Sequence, residues 1–224
     1  QRTMQKRGKY KMKNIDWANI GFEYMQTDQR YVSNYKDGKW DDGCLTHDAN
    51  VVINECAGIL QYCQECFEGL KAYTTEDGSI VTFRPDLNAE RMVDSAARLE
   101  MPQFPKERFL AAVDAVVKAN AEWVPPYGSG ATFYLRPYMF ASGPVIGVKP
   151  SDEYQFRIFG TPVGPYFKGG VKPLTLCVSD FDRAAPHGTG HIKAGLNYAM
   201  SLHAHSVAHG AGYDENMFLD PATR

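Results

Sequence analysis

Lys193 lies in the run Gly188-Thr189-Gly190-His191-Ile192-Lys193-Ala194-Gly195-Leu196-Asn197-Tyr198. Glycines on both sides let the backbone come close to a ligand. A tyrosine follows five residues on. A lysine amine, once neutral, is a nucleophile, and the chemistry it suits is Schiff-base formation with a carbonyl. A Gly-rich turn carrying a solvated lysine is the plain alternative, and the run alone leaves both open.

Other side chains could serve a carbonyl or an acid. Arg91 falls near the start of an expected helix after Phe83-Arg84-Pro85-Asp86-Leu87-Asn88. A guanidinium beside helix N–H groups can hold a phosphate in a two-pronged bond; an exposed helix arginine is the alternative. In Tyr134-Leu135-Arg136-Pro137, side-chain alternation puts Tyr134 and Arg136 on one face of a strand. Together they could bind a carboxylate, or simply face solvent. Tyr62, Phe67 and Tyr134 could line an apolar cavity or belong to the core.

Several chemistries are excluded or disfavoured. Gly188-x-Gly190 lacks the rest of a dinucleotide fingerprint, and neither a P-loop nor a Gly-x-Ser-x-Gly elbow is present. Cys63-Gln64-Glu65-Cys66 has metal or redox spacing, but no second pair accompanies it. His205 and His209 share a helix face with His203 nearby, yet the Glu of His-Glu-x-x-His is absent, so surface histidines and no metal are expected. The net charge of −2 argues against nucleic-acid binding. No apolar run reaches membrane-spanning length. An odd count of five cysteines reads as reduced and cytoplasmic.

The elements that must position these residues alternate along 224 residues, long enough for one large or two modest domains. Residues 1–13 hold six basic residues and no acid, and are expected to be a disordered basic tail. Tyr31–Trp40 reads as a hairpin turning at Asp37-Gly38. A strand is expected over Ser79–Arg84, then a helix over Leu87–Leu99 capped by Asp86 or Asn88, and a longer helix over Lys106–Trp123 between prolines. Ala131–Met139 and Glu153–Thr161 read as strands. An α+β fold follows, with a small α/β domain over 14–164 and an interdomain loop over 165–172. A second unit over 173–224 opens with a strand at Leu174–Ser179, continues with a helix from after Lys193 to about Gly210, and ends with a strand at Glu215–Leu219. That unit has only about 50 residues, near the lower limit for independent folding, so a truncated chain is expected.

Five segments in order carry a resemblance: Phe67-Glu68-Gly69-Leu70-Lys71-Ala72-Tyr73, Phe83 through Met92, Tyr134-Leu135-Arg136-Pro137, Val163-Gly164-Pro165-Tyr166-Phe167 and Lys193 through Tyr198. Together they resemble the branched-chain amino-acid aminotransferases, fold-type IV enzymes that use pyridoxal phosphate. The resemblance implies that Lys193 bonds covalently to the cofactor, Tyr198 hydrogen-bonds its phenolic oxygen and Arg91 grips its phosphate. It implies an aromatic wall of Tyr62, Phe67, Tyr134 and Tyr166 around the substrate side chain, joined by Phe22, with Arg136 receiving the distal carboxylate of glutamate. It implies a homodimer in which the loop around Ile146 and Val148 reaches the partner's site, and amino-acid and 2-oxo-acid substrates.

Members of that family continue past Asp220-Pro221-Ala222-Thr223-Arg224, so the 224-residue polypeptide by itself is expected to be inactive or nearly so. The competing readings are another fold-type IV enzyme, such as a D-amino-acid aminotransferase or an aminodeoxychorismate lyase, and a non-catalytic fragment.

Overall fold

A computed structural model describes residues 2–6, 12–165 and 173–224. The elements run β1 (Arg2–Lys6), β2 (Arg30–Lys36), β3 (Lys39–Trp40), β4 (Cys44–Thr46), α1 (Gly58–Tyr62), β5 (Glu65–Phe67), β6 (Leu70–Thr74), β7 (Ser79–Thr82), α2 (Pro85–Arg98), α3 (Lys106–Ala119), β8 (Thr132–Ala141), β9 (Tyr154–Val163), β10 (Leu176–Val178), α4 (Gly195–Ala199), α5 (Leu202–Gly210) and β11 (Glu215–Met217).

Nine strands form one sheet in the order β1-β7-β6-β8-β9-β2-β3, with β4 on β2 and β5 on β8. Every pairing in it is antiparallel. Its spine is the β8–β9 pair, in register from Thr132↔Val163 to Ala141↔Tyr154. The β2–β3 hairpin turns at Asp37 and Gly38, whose φ angles of 51° and 77° are those a tight hairpin turn requires. A separate pair, β10 and β11, is parallel, with α4 and α5 in the connection between them. A parallel pair requires such a crossover.

Alternation along β8 decides where chemistry can sit. Phe133, Leu135 and Met139 are buried in the core with Phe156 and Ile158 of β9. Met92 and Ala96 of α2 and Phe109, Val113 and Val116 of α3 complete that core. Tyr134, Arg136 and Tyr138 therefore point to the opposite face, where they are half-buried.

Several boundaries differ from the sequence expectation for physical reasons. The tail expected to be disordered contains β1, which pairs with the otherwise free edge of β7. Helix α2 begins at Pro85, not Leu87. Its cap is the backbone of Arg84 in the left-handed region, with no side-chain capping bond. Asn88 is turned to another partner. Helix α3 ends at Ala119, because the Asn120 side chain bonds back to the Val116 carbonyl and across to Gln29, and a 3₁₀ turn over Ala121–Trp123 completes the expected span. The helix expected after Lys193 is broken between α4 and α5, where Ser201 Oγ donates to the Tyr198 carbonyl at 2.7 Å. Tyr166 and most of the interdomain loop lie outside the described residues. No described helix is long and apolar enough to cross a membrane.

Candidate active site

The backbone around Lys193 is anchored before its side chain does anything. Its N–H donates to Ser95 Oγ of α2 at 3.0 Å. Its carbonyl accepts the Phe67 N–H of β5, also at 3.0 Å. Two residues on, the Gly195 N–H donates to a Glu65 carboxylate oxygen. A Cβ at position 195 would press on that oxygen, so glycine allows the carboxylate its close approach. Buried Asn197 folds the loop back on itself, donating to the carbonyls of Thr189 at 2.7 Å and Ile192 at 3.0 Å and accepting the Thr189 hydroxyl. Backbone groups that cannot reach water are satisfied by these bonds, and the lysine is aimed by them.

The Lys193 amine lies 2.6 Å from Tyr198 Oη. It also sits over the ring faces of Phe67 and Tyr198, at 4.6 and 4.9 Å from their centroids. Phe67 and Tyr198 are themselves 5.0 Å apart at 57°. The Arg136 guanidinium stacks 4.7 Å from the Phe67 ring, and its Nε donates to Tyr134 Oη at 3.0 Å. Phe22 packs 6.0 Å from Tyr134. Six residues read from the sequence, Lys193, Tyr198, Phe67, Arg136, Tyr134 and Phe22, thus form one chain of contacts. Parity on β8 and the β5–β8 register, with Phe67 opposite Tyr138, bring them to one face.

Two other candidates are placed differently. Tyr62, at the end of α1, bonds through its hydroxyl to the Ile146 carbonyl, tying it to the exposed loop of Ile146 and Val148. Arg91 is gripped by Glu68, with Nε at 2.7 Å and Nη2 at 2.6 Å from the carboxylate. That pairing raises the Arg91 pKa above its usual value.

Sequence reasoning missed Glu65, Glu68, Ser95, Asn197 and Arg183, the last of which lies 5.5 Å over the Tyr198 ring. A signal existed for one group. Asn88, Arg91 and Ser95 recur at spacings of three and four, a polar stripe on one face of α2. Burial holds the Glu65 carboxyl above the usual carboxylate range, opposed in part by the Gly195 N–H and by nearby Arg136.

The sets outside this cluster are simpler. Cys63 is exposed and Cys66 buried, and both are free thiols; burial drives the Cys66 thiol's pKa upward. His205 Nδ1 is 2.9 Å from Glu215 Oε1, and these residues with His209 bring a ligand atom each within 4.8 Å of one another on the surface.

The anchored lysine and its tyrosine lie within the region that matches a known family. The model for "Amino-transferase class IV" matches residues 65–224, and the chain belongs to that family. Curated relatives include the branched-chain-amino-acid aminotransferases of Haemophilus influenzae, 53% identical over 93% of this chain, and of Helicobacter pylori, 47% identical over 95% of it. The chain spans 61% and 63% of the length of these two relatives. Among solved structures, the branched-chain amino acid aminotransferase of Escherichia coli aligns with a TM-score of 0.67 at 26% identity, over 88% of this chain and 60% of that one. The branched-chain enzyme from Thermobaculum terrenum, solved in its PLP form, aligns with a TM-score of 0.68 at 20% identity, over 88% of this chain and 61% of that one, a likeness of fold.

Proposed function

We propose that this protein is a branched-chain amino-acid aminotransferase, moving the amino group of leucine, isoleucine or valine reversibly to 2-oxoglutarate with pyridoxal 5'-phosphate as cofactor. The observation that carries the proposal is the 2.6 Å contact between Lys193 Nζ and Tyr198 Oη, against the Phe67 ring and beside Arg136. The names of its relatives support the substrate class.

The donor set suits the cofactor. Pyridoxal phosphate needs an amine at its aldehyde, a hydrogen-bond donor at its phenolic oxygen and a cation at its phosphate; Lys193, Tyr198 and Arg91 are those three groups. Bound there, it supplies a carbonyl that accepts an amino group and an electron sink for the adjacent carbon.

The chain's own residues do the rest. The Lys193 amine would move a proton from the substrate α-carbon to the cofactor's aldehyde carbon, and in the opposite direction in the reverse half-reaction, the work of a general acid–base. The Tyr198 hydroxyl holds the lysine nitrogen in position between these events. Phe67, Tyr134 and Phe22 present apolar surface to a leucine-sized side chain, whose full burial is worth about 1.5–3 kcal/mol. Arg136, stacked on Phe67, offers guanidinium N–H groups to the distal carboxylate of glutamate, so one pocket serves both an apolar and an acidic side chain. Tyr62 adds to the wall, Tyr166 is assigned to it by the family resemblance alone, and the exposed Ile146 and Val148 loop reaches the partner's site in a homodimer. Residues 14–164 and 173–224 act as two domains flanking the site. Free cysteines throughout suit a cytoplasmic location.

Amino-donor profiling of the full-length protein against 2-oxoglutarate tests the proposal. Leucine, isoleucine and valine should be used and D-alanine rejected; preference for D-alanine would move the protein to another branch of the family.

A further inference from the structure

Glu68 is the residue for which the proposed chemistry has no use. It follows Phe67 at the end of β5, and its side chain is 0% exposed. Its backbone N–H donates to the Pro137 carbonyl at 2.7 Å, next to Arg136. Its carboxylate accepts three side-chain bonds from α2: Arg91 Nε at 2.7 Å, Arg91 Nη2 at 2.6 Å and Asn88 Nδ2 at 2.8 Å.

A buried carboxylate is costly even when paired, and an apolar replacement of both partners is often as stable. Stability is therefore a weak reason for this arrangement. What a two-pronged bond supplies is geometry, because it fixes the plane of the guanidinium. The bond uses Nε and Nη2 and leaves Nη1 out of the pair, and the Arg91 side chain is half exposed. Arg91 lies four residues before Ser95, which accepts the Lys193 N–H, so both residues share the face of α2 turned toward the Lys193 loop.

We propose that Glu68 is a positioning residue that locks the Arg91 guanidinium so that its open edge meets the phosphate of the cofactor ready-oriented. This rests on the reading of Arg91 as the phosphate-binding cation. A Gln at position 68 keeps the shape but sets an NH₂ group against one of the three donors, so the guanidinium turns away. Loss of the negative charge would by itself strengthen phosphate binding, so orientation and charge predict opposite signs.

The test compares dissociation constants for pyridoxal 5'-phosphate and for pyridoxal, which lacks the phosphate, in wild type, Glu68→Gln, Arg91→Gln and the double variant. Glu68→Gln should weaken the phosphate form about tenfold and leave pyridoxal unchanged. In the Arg91→Gln background it should change the ratio no further, which a general loss of structure would not mimic. An unchanged or increased phosphate preference in Glu68→Gln, or an effect that persists without Arg91, overturns the proposal. Should Arg91→Gln itself leave the preference intact, the phosphate reading of Arg91 fails and the inference with it. If Glu68→Gln does not fold, Asn88→Ala, which removes one of the three donors that hold the carboxylate, should lower the ratio in the same direction; no change would count against Glu68.

Discussion

Lys193 Nζ and Tyr198 Oη lie 2.6 Å apart, although one ends a loop and the other sits on helix α4. Both rest on the same ring, that of Phe67. The short α4 turn brings position 198 back over position 193, and the strand β5 supplies the floor.

Tyr198→Phe keeps the ring contact and removes the hydroxyl. A hydrogen bond to a charged group contributes about 1.5–3 kcal/mol, so kcat should fall about 10- to 100-fold with the fold intact. Steady-state kinetics with leucine, alongside a thermal melt, would check both halves. An unchanged kcat would remove Tyr198 from the chemistry.

Ser95→Ala deletes the acceptor of the Lys193 N–H, a bond made at a nearly fully buried side chain. A buried backbone donor left without a partner costs about 1–3 kcal/mol. Urea unfolding should show that loss in the midpoint with little change in slope, and activity should fall as the lysine loses its aim.

Arg136→Gln separates the two substrates that share the pocket. The KM for 2-oxoglutarate should rise about 10- to 100-fold, the worth of a charge-assisted bond, while the leucine half-reaction changes far less. Equal losses for both would mean that Arg136 supports the pocket through its stacking on Phe67 rather than by meeting a carboxylate.

Glu65 gives a pH dependence of definite sign. Burial raises its folded-state pKa above the ordinary value, so its contribution to stability is fully present below the unfolded pKa, near 4.5, and is lost as pH rises through the folded value. Glu65→Gln can still accept the Gly195 N–H without a buried charge. Its melting temperature should exceed wild type at pH 7–8, and the gap should close as the medium is acidified toward pH 4.5. A gap that widens on acidification would contradict the assignment.

What was legible in the sequence was what local rules encode. Asp37-Gly38 specifies a tight turn because its φ angles are positive, and the alternation of β8 puts Tyr134 and Arg136 together because strands repeat every two residues. The anchors of Lys193 were not legible. Ser95 and Glu65 are 98 and 130 residues from the groups they accept from, and no periodicity links them. Glu68 looked like part of a motif, yet its role depends on burial, which a single sequence does not display. The break between α4 and α5 arises from one hydroxyl, Ser201 Oγ, competing for a helix carbonyl.

The most direct test is borohydride reduction of the protein with bound pyridoxal phosphate, followed by peptide mapping. The account predicts a single pyridoxyl label on the peptide carrying Lys193, abolished in Lys193→Ala. A label on any other lysine, or none, would contradict it.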